Sequence, residues 1–165
     1  MRIDRIVLVY IGITLFASVP SQAQRWREII PLHSTRADVE RLFGPSEGKF
    51  VSIYEFENEV VSIQYSEGPC DKTTNQDWNV PPGTVINIIV SPRSATLFAD
   101  IPIDKTKLKK EEDPRSSYTS YINKEEGITY VVSVIGTVTY VNYGPKAKDN
   151  NLRCPLISAK QSCSQ

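Results

Sequence analysis

Hydrophobic and polar positions change their pattern several times along the chain, and the clearest local pattern predicts a short helix over residues 35–43. Thr35 and Asp38 have the spacing of a capping box, and apolar residues follow at helical intervals. Gly44 supplies the left-handed residue that ends many helices, and Pro45 prevents continuation. A helix of this length does not persist alone in water, so it must pack against another element.

Runs of β-branched and aromatic residues predict an antiparallel sheet of about six strands. The polar stretch 57–59 separates the first two runs and indicates a hairpin. Residues 84–91 are apolar on both faces, which is typical of a central strand that is covered on each side. The predicted strands cover residues 50–56, 60–65, 84–91, 118–122, 128–135 and 137–143.

The remaining segments complete an α+β prediction, with one short N-terminal helix packed on this antiparallel sheet. The charged stretch 100–115 predicts a solvated connector, with a short edge strand over residues 97–103. Each half of the chain ends in a strand pair and a Gly-Pro turn before a cysteine, which suggests a weak two-fold repeat.

The N-terminus has the three parts of a secretory signal peptide. A basic start precedes an apolar run of 14 residues over positions 6–19, and Ser21 and Ala23 fit the small-residue positions of a cleavage site. The apolar run is shorter than the roughly 20 residues that span a bilayer as a helix, which argues against an uncleaved anchor. We therefore expect cleavage of residues 1–23 and no transmembrane segment afterwards.

Cleavage would leave 142 residues, enough for one core, so we expect a single α+β domain over residues 24–146. Residues 147–165 predict a mostly irregular C-terminal tail that carries Cys154 and Cys163. The full chain balances 19 Lys and Arg against 19 Asp and Glu, which argues against an electrostatic hold on nucleic acid. The expected location is outside the cytoplasm, either periplasmic or extracellular.

Three cysteines in an exported protein predict one disulfide and one remaining thiol. We favour Cys70–Cys154, because each of these cysteines follows a predicted strand and a Gly-Pro turn; Cys154–Cys163 is the alternative. The cysteines have no C-x-x-C spacing and the chain has one histidine, so neither a metal site nor another cofactor is expected.

Three features have the form of catalytic residues, and each has a simpler structural explanation. Residues 44–48 fit the G-x-S-x-G nucleophile motif, but a helix precedes them and a strand follows, the reverse of the required order. His33 stands at the helix entry with no acid or nucleophile beside it in the sequence. Glu55 and Glu57 share one strand face, as glycosidase carboxylates can, yet solvent-facing strands have the same pattern. No catalytic residue is predicted.

Part of the chain resembles known envelope proteins. The helix, Leu42, Gly44, Pro45 and following hairpin are similar to small envelope proteins of the SmpA/OmlA (BamE) type and to the related β-lactamase-inhibitor fold. The lipid-anchoring cysteine of the lipoproteins and a second helix are missing here. This resemblance implies a scaffold or partner-binding role.

Three further segments, residues 65–70, 78–81 and 152–155, resemble a group of exported bacterial proteins without an assigned function. The resemblance implies export and carries no activity.

Trp78, in a Pro-rich loop, and Tyr140, in the last predicted strand, are the candidate binding residues. An exposed Trp78 would anchor a partner, whereas a buried one would plug the end of the sheet; burial is favoured because large aromatic side chains are mostly buried. The sequence thus predicts an exported non-enzymatic protein that binds another protein or an envelope component. A small envelope hydrolase acting on polysaccharide or peptide through paired carboxylates is the alternative.

Overall fold

The computed structural model of the chain describes residues 26–70 and 77–155, and within them it is largely β. The α-helix is α1 Arg36–Phe43, and the strands are β1 Val51–Glu55, β2 Glu59–Tyr65, β3 Val85–Pro92, β4 Lys109–Glu112, β5 Tyr118–Asn123, β6 Ile128–Ser133 and β7 Val138–Tyr143. Short 3-10 helices cover Phe98–Asp100, Lys105–Lys107 and Ala147–Leu152. The strands form one antiparallel sheet in the order β1-β2-β3-β7-β6-β5-β4.

Helix α1 begins and ends where its capping residues predict. The Asp38 carboxylate accepts a hydrogen bond from the Thr35 backbone N–H at 2.9 Å, and the Asp38 N–H donates to the Thr35 hydroxyl, which completes the capping box. The Thr35 backbone N–H and the Thr35 hydroxyl both donate to the Asp38 carboxylate, and these two hydrogen bonds lower the pKa of the Asp38 carboxyl below its ordinary value. At the other end Gly44 adopts a φ of +89°, and its N–H donates to the Glu40 carbonyl.

The core lies on one face of the sheet in two parts. Over β1–β3, the N-terminal segment and α1 contribute Trp26, Ile29 and Val39, which pack on strand residues such as Ile63 and Ile88. Ile63 and Ile88 lie opposite each other in the register of β2 and β3, so they point to the same face. Burial of these apolar side chains is the main stabilising term of the sheet.

The second part of the core lies over β5–β7, under the connector between β3 and β4. Phe98 packs on Val132 and Val138 and stacks on Tyr121, with the ring centroids 4.3 Å apart. This burial explains why the predicted edge strand over residues 97–103 is wrong. The chain turns through a 3-10 helix at Phe98–Asp100 and presents the phenylalanine to the sheet instead of pairing as a strand.

The prediction of an α+β fold with about six strands is also wrong. The sheet has seven strands and dominates the structure, while α1 has eight residues. The missed strand is β4, which lies in the charged stretch that was predicted to be a connector. The halves are unequal, since β1–β3 carry the helix and the second half has a fourth strand, so a two-fold repeat does not describe the fold.

The expected signal peptide over residues 1–23 and Cys163 lie outside the described residues. In the ranges that the structure covers, no helix has both the length and the apolar character needed to cross a membrane.

Candidate functional site

The predicted disulfide between Cys70 and Cys154 is confirmed, and it joins the loop after β2 to the C-terminal segment. Next to it, Asp77 and Asn79 exchange backbone hydrogen bonds with that segment. The Cys154 N–H donates to the Asp77 carbonyl at 2.8 Å, and the Asn79 N–H donates to the Leu152 carbonyl at 2.7 Å. These contacts fix the loop across one end of the sheet.

Trp78 lies in the middle of this loop and is 9% exposed, which confirms the favoured prediction that it is buried. Its ring packs in a small apolar cluster with Leu32 and Val80. The guanidinium carbon of Arg153 lies 4.9 Å from the centre of the ring, within the range of a cation–π contact. Trp78 therefore plugs the end of the sheet and orients Arg153.

A groove lies beside Trp78 on the sheet face opposite the core. It consists of two adjoining cavities of about 390 Å³ and 350 Å³. The cavities share five residues: Trp78, Asn142, Gly144, Pro145 and Arg153. We call these two cavities the polar groove. Each has the size of a small-molecule site.

Side-chain amides line the floor of the polar groove. Gln64 and Asn87 lie opposite each other on β2 and β3, and the Asn87 amide donates a hydrogen bond to the Gln64 carbonyl oxygen at 3.2 Å. Asn142 on β7 faces Thr129 on β6. The Oδ1 atom of Asn142 is buried and accepts no hydrogen bond from any residue that the structure describes. An unpaired buried acceptor costs free energy.

The two cavities differ in charge. Glu67 and Asp77 line the first, whereas Lys124 and Lys146 line the second, and Arg153 lines both. The Lys146 ammonium lies 3.4 Å from a Glu126 carboxylate oxygen outside the groove, and Lys124 has no ion pair within residues 26–70 and 77–155. The polar groove therefore has an acidic end and a basic end, with Arg153 between them.

The structure places the two candidate binding residues on the same side of the molecule, but not in one cavity. Tyr140 is half-buried on β7 opposite Val131, and strand alternation puts its side chain on the same face as Asn142. It does not line the polar groove, whereas Trp78 does.

His33 has a carboxylate partner that sequence spacing did not indicate. Its Nε2 atom lies 3.2 Å from the Asp149 Oδ1 atom. The other carboxylate oxygen of Asp149 accepts a hydrogen bond from the backbone N–H of Lys146 at 3.2 Å. The buried Asp149 thus ties the last 3-10 helix to the N-terminal segment. No hydroxyl or thiol hydrogen-bonds to His33 in the part of the chain that the structure describes.

The other residues considered for catalysis lie outside the polar groove. Residues 44–48 form the loop that leads from α1 into β1, as expected for a turn. Glu55 is largely exposed, and its carboxylate pairs with Arg93 at 2.7 Å. Glu57 is exposed in the turn between β1 and β2. Neither of these two carboxylates is a lining residue of either cavity of the polar groove.

A second concave surface lies at the opposite end of the molecule, beside Phe98. This open depression of about 620 Å³ is lined by Leu97, Leu108 and Ile135, with Lys105 at its edge. It offers apolar contact but few polar groups that could orient a ligand. Because specific sites combine apolar walls with convergent polar groups, the polar groove is the better candidate.

The comparisons with known proteins concern the fold. No protein-family model and no curated protein matches the chain. Among solved structures, the chain is similar to a DUF4309 family protein (YjgB) from Bacillus subtilis subsp. subtilis str. 168, with a TM-score of 0.51 and 14% sequence identity. The similarity covers 73% of this chain and 84% of that protein. It is consistent with the expected uncharacterised family, whereas the resemblance to the SmpA/OmlA (BamE) type is supported by no comparison and stays a prediction.

The sequence did not reveal the amides of the polar groove as a group. Gln64, Asn87 and Asn142 each interrupt an apolar strand, and this interruption is the signal that a sequence contains. A polar residue on a solvent-facing side of any sheet has the same pattern. These residues therefore indicate a common site only when β2, β3 and β7 are known to be neighbours.

Proposed function

We propose that this chain is an exported, non-enzymatic protein that binds another protein or an envelope component through its polar groove. The observation that carries the proposal is the convergence of Gln64, Asn87, Asn142 and Arg153 on one cleft of ligand size. Polar groups that converge in a concave site fix the orientation of a bound molecule. Tyr140 extends the contact surface along the same sheet face.

Binding is favoured over hydrolysis by the surroundings of the carboxylates. Glu67 and Asp77 at the first cavity are exposed to solvent, as are Glu55 and Glu57 elsewhere. The general acid of a glycosidase usually sits in a sheltered environment that keeps it protonated. None of these four side chains has such an environment, which favours binding over the hydrolase alternative.

Export is supported by two independent features. The Cys70–Cys154 disulfide is typical of an oxidising compartment such as the periplasm or the cell exterior. The N-terminal residues 1–23 have the pattern of a cleaved secretory signal. A mature chain that begins at Gln24 is the form that would meet an envelope component.

Site-specific photo-cross-linking in cells tests the proposal. A photoreactive phenylalanine analogue at Glu67, which is exposed and lines the polar groove, is expected to capture a discrete envelope component. The matched control carries the same analogue at Glu57, which is also exposed but lies in the β1–β2 turn. Equal adducts from both positions, or none from Glu67, would show that the groove is not the binding surface.

A further inference from the structure

We infer that the ligand of the polar groove is a carboxylate-bearing oligosaccharide. The inference deepens the proposed function and rests on it. It follows from three properties of the groove: which groups are available to bind, how the positive charge is distributed, and how the two cavities are joined.

Side chains, and not backbone groups, must recognise the ligand. The groove lies on the face of the sheet, where β2, β3, β7 and β6 already pair with their neighbours through backbone hydrogen bonds. A peptide therefore cannot add to the groove as an extra strand, because that mode needs a free sheet edge.

The available side chains match a hydroxyl-rich ligand. Gln64 and Asn87 hydrogen-bond to each other, which leaves the Gln64 NH₂ group and the Asn87 carbonyl oxygen for a ligand, and Thr129 adds a hydroxyl. A sugar hydroxyl both donates and accepts hydrogen bonds, so adjacent hydroxyls pair naturally with such amides. Asn142 lies between the two cavities, where its amide adds to this set of polar groups.

The positive charge at the basic end of the groove favours a ligand that carries an anionic group. Lys124, Lys146 and Arg153 line the second cavity, and no described carboxylate lines it with them. Glu126 forms an ion pair with Lys146 and partly neutralises its charge, but Lys124 and Arg153 have no carboxylate partner in the described ranges. The planar guanidinium of Arg153, held against the Trp78 ring, suits a carboxylate through two parallel hydrogen bonds.

The joined cavities indicate an oligosaccharide and not a small anion. The cavities of about 390 Å³ and 350 Å³ meet at Asn142, Gly144 and Arg153, so one chain could lie across both. Its hydroxyls would face the amides of the first cavity, while its carboxylate would reach Lys124 and Arg153 in the second. A single phosphate or acetate would use only the basic end.

Calorimetric titration of the purified mature protein tests this inference. The probes are oligosaccharides of uronic acids, sialic acids and lactyl-substituted amino sugars, each paired with its neutral methyl ester, together with inorganic phosphate. We expect carboxylated members to bind and their esters to bind about tenfold more weakly, which is the effect of one charge-assisted hydrogen bond. Lys124→Ala should weaken binding of the carboxylated probe by a similar factor, whereas Arg115→Ala, which removes an exposed charge outside the groove, should not.

Three results would overturn the inference: no probe binds, the esters bind as well as the acids, or phosphate competes at the same concentration. Failure here is distinguishable from failure of the proposed function. If Glu67 captures a protein in cells while no oligosaccharide binds, the groove is a binding site and the ligand class is wrong. If Glu67 captures nothing and no oligosaccharide binds, both are wrong.

Discussion

Gly127 and Gly144 bring the turn before β6 against the end of β7. The Gly144 N–H donates to the Gly127 carbonyl oxygen at 2.7 Å, and both residues line the second cavity of the polar groove. Gly127 has a φ of +70°, a conformation that glycine adopts without strain. A Cβ atom on Gly127 would overlap the Gly144 carbonyl oxygen, so this contact requires glycine on the β6 side.

Gly127→Ala should therefore lower the free energy of unfolding by about 2 kcal/mol or more, since it combines steric overlap with an unfavourable φ. Gly144→Ala is the matched control, because a Cβ atom there meets no atom closer than 3.9 Å. It should change stability by less than about 1 kcal/mol. Urea unfolding of both variants measures the difference. Equal stability of the two would contradict the described contact.

Trp78 should contribute strongly to stability, because it is buried with Leu32 and Val80. We expect Trp78→Ala to cost about 3–5 kcal/mol, as large-to-small changes in a core do. Trp78→Phe should cost less and is the better variant for binding measurements. Tyr118→Ala, at an exposed aromatic residue, provides the comparison and should have a small effect in urea unfolding. A Trp78→Ala protein as stable as Tyr118→Ala would show that Trp78 is not buried.

The disulfide should stabilise the mature protein mainly by restricting the unfolded chain. Its cysteines are 84 positions apart, and a loop of that length corresponds to about 4.5 kcal/mol in the chain-entropy model. The double variant Cys70→Ser/Cys154→Ser should lose stability of this order in urea unfolding. Cys163→Ser is the control, because it leaves the Cys70–Cys154 disulfide intact. A loss of similar size in Cys163→Ser would contradict this pairing.

Alkaline pH should destabilise the fold through its buried tyrosines. Burial raises the pKa of Tyr143 from 10.0 to about 12. The folded state then holds its proton while the unfolded state releases it. Stability from this group is complete below pH 10 and is lost as the pH rises toward 12, by up to about 2 kcal/mol. Burial also raises the pKa of Tyr54, Tyr65 and Tyr130, which act in the same direction.

Urea unfolding between pH 9 and pH 12 measures the loss of stability at alkaline pH. Tyr143→Phe removes the contribution of the Tyr143 hydroxyl to this loss. The stability of the variant should fall less steeply than that of the parent over this range. Tyr118→Phe, at an exposed ring, is the control and should retain the full slope. Parallel slopes for the parent and Tyr143→Phe would mean that Tyr143 titrates normally.

Local patterns predicted several elements of the fold well. The capping residues around Thr35 and Gly44 mark α1, and alternating apolar residues mark β2 and β7 close to their observed positions. Strand β4 was missed, because Lys109–Glu112 has no apolar alternation. Its strand conformation comes from pairing with β5, an interaction that a local pattern does not contain.

The candidate site was less predictable than the fold. Trp78 and the Cys70–Cys154 disulfide were identified from the sequence, and both lie at the polar groove or beside it. The amides were not, since Gln64 and Asn142 are far apart in the chain and meet only through the strand order β2-β3-β7. A groove made by neighbouring strands depends on topology, which residue periodicity does not determine.

The measurement that bears most directly on the polar groove is photo-cross-linking from Glu67 in a chain that also carries Gly144→Leu. A side chain at Gly144 meets no close atom at its Cβ position, so leucine should fill the groove without disturbing the sheet. Thr139→Leu adds the same side chain to the exposed part of β7 outside the groove. We predict that Gly144→Leu reduces the adduct about tenfold and Thr139→Leu leaves it unchanged. An undiminished adduct from a folded Gly144→Leu protein would contradict binding in the groove.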